Sequence, residues 1–111
     1  MWRKGSFVTT IELLQEIKRR LEQAHGGRLR GVVLYGSEAR GEAGADSDVD
    51  VLVLLDDPVD YGRDLQTNID AVYALSLDIG RRISAKPVSA TEYETVDCPL
   101  YGEAHRDGIA A

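Results

Sequence analysis

The 111-residue chain has a single cysteine, Cys98, so it can form neither an internal disulfide nor a cysteine-based metal cluster. Cys98 reads instead as a small, half-buried hydrophobe beside Pro99. Its two histidines, His25 and His105, are far apart with no third ligand at metal spacing, and both are expected at the surface. No apolar run is long enough to cross a bilayer. Met1-Trp2-Arg3-Lys4 is basic, but Gly5 to Glu12 has neither an apolar core nor a small-residue cleavage site, so a secretory signal is not expected and the cytoplasm is the default. Positive charge is scarce too: 13 Lys and Arg against 19 Asp and Glu give a net charge of −6. Affinity for a nucleic-acid backbone rests on many Lys and Arg contacts, so a polynucleotide partner is not expected. A single nucleotide is a different case, because a divalent metal and one or two arginines can meet its charge. Repeats and low-complexity tracts are absent.

What remains is an ordinary globular composition, 43% apolar and 29% charged. This suffices for one core, and residues 1–111 are expected to form one domain. Ile11, Leu14, Ile17 and Leu21 recur at helical spacing, and Thr9 with Glu12 makes a capping box, so a helix is expected from Thr9 to Ala24. After His25-Gly26-Gly27, Gly31 to Tyr35 reads as a buried strand. Gly36 to Ser47 holds three glycines and no apolar periodicity, which suits a loop or a short polar helix. Val49 to Leu55 reads as a second strand, closed by Asp56-Asp57-Pro58. Leu65, Ile69, Val72, Tyr73 and Leu77 predict a helix over 61–79 lying across the sheet and ending at Gly80. Ile83 to Ser89 reads as a third strand, which Pro87 places towards an edge. Thr91 with Glu94 suggests a capped short helix before Pro99, and Tyr101 to Ala111 reads as polar and frayed.

The chemistry lies between the first two strands. Asp48 and Asp50, two positions apart at the start of a strand, direct their carboxylates from one face, about 6 to 7 Å apart along the chain. Such a pair repels itself unless a cation intervenes, and hard oxygen donors suit magnesium or manganese. Gly36-Ser37 follows the first strand directly, where a glycine lets backbone approach a ligand and a hydroxyl can hold phosphate oxygens. Arg40 adds a planar donor fork suited to phosphate. Either pair alone is most often a turn or a solvated strand end; the combination, with ten residues between Ser37 and Asp48 and strands on the correct sides, carries the argument. Arg81-Arg82 is open to a second phosphate contact but fits a helix C-terminus better without any ligand, and Tyr35 fits the core better than a base-stacking role.

Leu34 to Gly41 and Asp46 to Val53 resemble the minimal nucleotidyltransferases of the DNA polymerase beta superfamily. The resemblance implies an α+β fold in two layers, a small mixed sheet of three to four strands with helices packed on one face. It implies magnesium (or manganese) on Asp48 and Asp50, and the triphosphate at Gly36 and Ser37 with Arg40 nearby. The implied reaction is transfer of a nucleoside monophosphate, most often AMP from ATP, to a hydroxyl. Many such proteins resemble antitoxins paired with a small helical HEPN toxin, and a homo-oligomer is also open. The family's third carboxylate is expected on the strand over 83–89, yet no Asp or Glu occurs between Asp78 and Glu92. Ser84, Ala85 and Lys86 occupy that region, so the general base is vacant, partner-supplied or dispensable. The alternative implied by that gap is a degenerate nucleotide-binding or partner-binding antitoxin without turnover.

Overall fold

The computed structural model describes residues 9–111. The reading of Met1 to Lys4 therefore lies outside the described residues. Within them the chain runs α1 (Thr10–His25), a 3-10 turn (Gly26–Arg28), β1 (Leu29–Tyr35), α2 (Gly36–Ala39), β2 (Val49–Leu55), α3 (Tyr61–Ile79), β3 (Ile83–Ser89), α4 (Ala90–Thr95), α5 (Pro99–Asp107) and β4 (Ile109–Ala110). No helix is long and apolar enough to cross a membrane among the described residues.

The four strands form one mixed sheet in the order β3-β2-β1-β4. β1 pairs with β2 and β4 antiparallel, whereas β2 and β3, joined through α3, are parallel. β3 lies at an edge, as Pro87 requires. Strand alternation divides the side chains of β2 between two layers: Val49, Val51, Val53 and Leu55 enter the core beneath α1 and α3, while Asp50 and Leu52 take the opposite face. The main core joins Leu14, Ile17 and Leu21 of α1 to Val72 and Leu75 of α3 across the sheet. Burying each such side chain contributes about 1.5–3 kcal/mol.

The α+β sheet, the Thr9–Glu12 capping box and the bounds of β2, α3 and β3 agree with the sequence. Several details differ, and β1 starts at Leu29 rather than Gly31. The long helices α1 and α3 share one face, but Tyr93 of α4 and Ala104 of α5 pack on the other with Val33, Leu52 and Val88. Helix α4 is capped by Ser89, whose hydroxyl accepts from the Glu92 N–H, rather than by Thr91. Tyr101 to Ala111 is ordered as most of α5 plus β4, because Ile109 and Ala110 find ladder partners in Leu34 and Val33. In α3 the stripe is rotated: Val72 and Leu75 are buried, whereas Ile69, Tyr73 and Leu77 are exposed. Polar residues take the vacated inner positions. Arg28 donates to both carboxylate oxygens of buried Asp64 (2.9 and 3.1 Å), His25 donates to Asn68 Oδ1 (2.6 Å), and Asn68 donates to the Ala85 carbonyl (3.0 Å). His25 is thus a half-buried bridge between α1 and α3 rather than a surface residue.

Candidate functional site

The antiparallel register sets Tyr35 opposite Asp50, so the end of β1 and the start of β2 meet at one corner of the sheet. Gly36 and Ser37 open α2 immediately after Tyr35, and Asp48 precedes Val49. Four of the five residues singled out in the sequence are thereby brought together. Gly36 has φ 76°, and a Cβ built on it would sit 3.0 Å from Asp50 Oδ2. Both facts call for glycine, the first because L side chains rarely adopt that backbone and the second because the carboxylate occupies the space.

Asp48 is exposed and Asp50 half-buried. Burial, then the neighbouring Asp48 charge, raise the pKa of Asp50, while Lys86 and Arg82 oppose the shift. Arg82 Nη1 stands 3.9 Å from Asp48 Oδ2, with both side chains well exposed. Tyr35 is buried, as expected, and its hydroxyl is pushed up to about 12 by burial and by the charge of Asp50.

Arg40, the fifth residue, does not point an unengaged guanidinium at the carboxylates. It donates to Glu42 (2.9 Å) and to Glu103 of α5 (3.1 Å). Arg81 is structural, though by side-chain bonds as well as position: it donates to the Ser47 carbonyl (2.9 Å) and to Glu38. Burial favours the neutral form of Glu38, but hydrogen bonds from Arg81 and Thr10 outweigh it and hold the pKa low. These bonds pin α1, α2 and the end of the 40–48 loop to one another behind the site. Ser47 also accepts from the Gly44 N–H through its hydroxyl (3.0 Å), closing a tight turn before Asp48.

On β3, Ser84 is in register with Asp50 and Lys86 with Leu52, so a hydroxyl and an ammonium stand where a third carboxylate was expected. No group of three or more His, Cys, Asp or Glu is placed to hold a metal ion among the described residues. The donors present are the two aspartates, whose mutual repulsion a hard divalent cation would relieve. Glu103, Arg82 and Lys86 reach this corner from distant elements; the sequence marked Arg82 as one of a basic pair and Lys86 as a charge within an apolar strand, and gave no sign of Glu103.

Residues 14–100 match the family described as "Nucleotidyltransferase domain". A protein of Methanocaldococcus jannaschii, provisionally named a protein adenylyltransferase, is 32% identical over 65 residues; the match spans 59% of this chain and 65% of that protein, just under two thirds of its length. A solved structure provisionally described as a minimal nucleotidyltransferase superposes with a TM-score of 0.57 at 29% identity, over 95% of this chain and 98% of that one. The structure of a toxin-antitoxin with AMP-PNP shares the fold, with a TM-score of 0.63 at 18% identity over 87% of this chain and 70% of that one.

Proposed function

The chain belongs to the nucleotidyltransferase domain family, and from that premise we propose that it transfers a nucleoside monophosphate, AMP from ATP, to a hydroxyl of a partner macromolecule. The carrying observation is the juxtaposition of Gly36 and Ser37 with Asp48 and Asp50 across the Tyr35–Asp50 pair. Ser37 and the backbone at the start of α2 bind phosphate oxygens. Asp48 and Asp50 hold magnesium or manganese, which when bound would neutralise charge on the phosphates and polarise the reacting phosphoryl group. Arg40, Arg82 and Lys86 supply the positive potential that an otherwise acidic surface lacks, Arg40 by exchanging Glu103 for phosphate. Rate acceleration then comes from positioning and charge neutralisation, as in other phosphoryl transfers.

The partner we propose is a small helical toxin of the HEPN type, with this chain as its antitoxin. Support comes from the shared fold with the toxin-antitoxin complex and from the adenylyltransferase name of the archaeal relative. The test is label transfer from α-phosphate-labelled ATP to the candidate toxin, lost in Asp50→Asn; absence of transfer to that toxin would overturn the reading. A second reading, neutralisation by binding alone, is favoured by Ser84 standing beside Asp50 in place of a carboxylate. It requires Asp48→Asn/Asp50→Asn to neutralise the toxin as well as wild type does.

A further inference from the structure

The site at the β1–β2 corner accounts for phosphates and metal but gives the base no place. Further along β3, from Lys86 towards the Ser89 end that pairs with Leu55, and against α4 and α5, lies a cavity of about 340 Å3, within the range of small-molecule pockets, about 300–1,000 Å3. Val88 and Leu100 give it apolar walls, Tyr61 and Tyr101 contribute rings, and Asp57 and Glu92 bring carboxylates. Two residues link this cavity to the carboxylate corner. Lys86 lines the cavity, yet stands in register with Leu52, two positions along β2 from Asp50, and its charge acts on the Asp50 carboxyl. Tyr61 also lines it, and acts on Tyr35, the cross-strand partner of Asp50. The offset from Asp50 to the Lys86 row is about 6 to 7 Å, a distance a sugar can bridge.

Resting on the reading of Gly36, Ser37, Asp48 and Asp50 as a metal-triphosphate site, we propose that this cavity takes the nucleobase and selects bases with an exocyclic amino group over their oxo counterparts. Aromatic rings offer stacking to any base, so Tyr61 and Tyr101 supply affinity without choice. Choice comes from the carboxylates. A carboxylate can only accept hydrogen bonds, so Asp57 and Glu92 pair with an amino group and set lone pairs against lone pairs where an oxo group takes its position. Asp57 already accepts from the Ser89 hydroxyl at 3.1 Å, which fixes its orientation while leaving further acceptor positions. Adenine and hypoxanthine differ at the 6-position, amino against oxo, and at ring N1, which accepts in adenine and donates in hypoxanthine, so a carboxylate reading the 6-position favours ATP whereas one facing N1 favours ITP.

The experiment is calorimetric titration of the full chain, in magnesium, with ATP, ITP and inorganic tripolyphosphate. Wild type is compared with Tyr61→Ala and Glu92→Gln, both at exposed positions, with Asp48→Asn/Asp50→Asn as the control. ATP is expected to bind about tenfold more tightly than ITP or tripolyphosphate. Tyr61→Ala should lose about tenfold for ATP and nothing for tripolyphosphate, and Glu92→Gln should collapse the ratio of ATP to ITP. Equal affinity for all three ligands, or variants that keep the wild-type preference, overturns the cavity assignment and leaves the phosphate site standing. If neither ATP nor tripolyphosphate binds wild type, or if both bind the double aspartate variant as well, the phosphate site fails and the cavity assignment fails with it.

Discussion

A Cβ on Gly36 would stand 3.0 Å from Asp50 Oδ2, so the residue that follows β1 and the second residue of β2 compete for a single volume. Gly36→Ala places an L side chain at φ 76°, costing about 1–2 kcal/mol, and pushes the carboxylate aside. The melting temperature should fall by roughly 4–8 °C per kcal/mol, and stabilisation by magnesium with ATP should shrink further than that loss explains. A variant that melts as wild type does and keeps its nucleotide response would contradict the close approach.

Asp50→Asn is expected to act in opposite directions with and without ligand. The raised pKa of Asp50 means that folding disfavours its ionised form, so the free protein loses stability as pH rises through the folded pKa. Asparagine removes that penalty, a gain of at most about 0.5 kcal/mol at pH 7 for a half-exposed group. Ligand at a hundred times its dissociation constant adds about 2.7 kcal/mol to wild type, and the variant should forfeit it. Thermal unfolding with and without magnesium and ATP reads both effects.

Glu16 is buried on α1 and held at about 2 by hydrogen bonds from Arg19 and then Arg20, with burial opposing them. A lowered folded pKa gives stability that is present above the ordinary value of 4.5 and lost as pH falls towards 2. Glu16→Gln should therefore cost about 2 kcal/mol at pH 7, and the gap to wild type should close as the solution is acidified through that window. Denaturant titrations at pH 7, 4 and 2.5 would measure it; a gap that does not change with pH would point to lost packing instead.

Leu75 and Leu77, two positions apart on α3, have opposite surroundings, the first fully buried and the second 64% exposed. Leu75→Ala should cost about 2–5 kcal/mol and Leu77→Ala no more than about 0.5 kcal/mol in either direction. Comparable losses from both would mean that the helix is rotated from the orientation described here.

Strands β1 and β2 were legible because their apolar runs are short and bounded, by Gly31 and Gly36 in one case and by Asp48 and Asp56 in the next, although β1 begins two residues before Gly31, at Leu29. Helix α1 was legible because its cap and its apolar period agree. Helix α3 was legible in extent but not in rotation, since it buries Asp64 and Asn68, whose cost is offset by Arg28, His25 and a β3 carbonyl that only the fold brings near. The last eleven residues gave no local signal because contact orders them. A Cβ at Gly108 would lie 2.2 Å from the Ala104 carbonyl oxygen and 2.8 Å from Val33 Cγ1, a fit invisible without β1 alongside. At the site, the spacing of the Gly-Ser and Asp-x-Asp pairs was enough to place four residues together. The engagement of Arg40 by Glu103, and the presence of Arg82 and Lys86, depend on elements far away in the chain.

The alternation of β2 ties this corner to the core. A slip of one residue against β1 would send Asp50 inward and carry Val49 and Val51, now fully buried, to the opposite face. The hairpin therefore works as a self-checking ruler: burial of the valines and placement of the carboxylates are satisfied by one register or by none. The 40–48 segment is relieved of setting that register, because the strands do so, and its Gly44–Ser47 turn has only to deliver Asp48 to the start of β2.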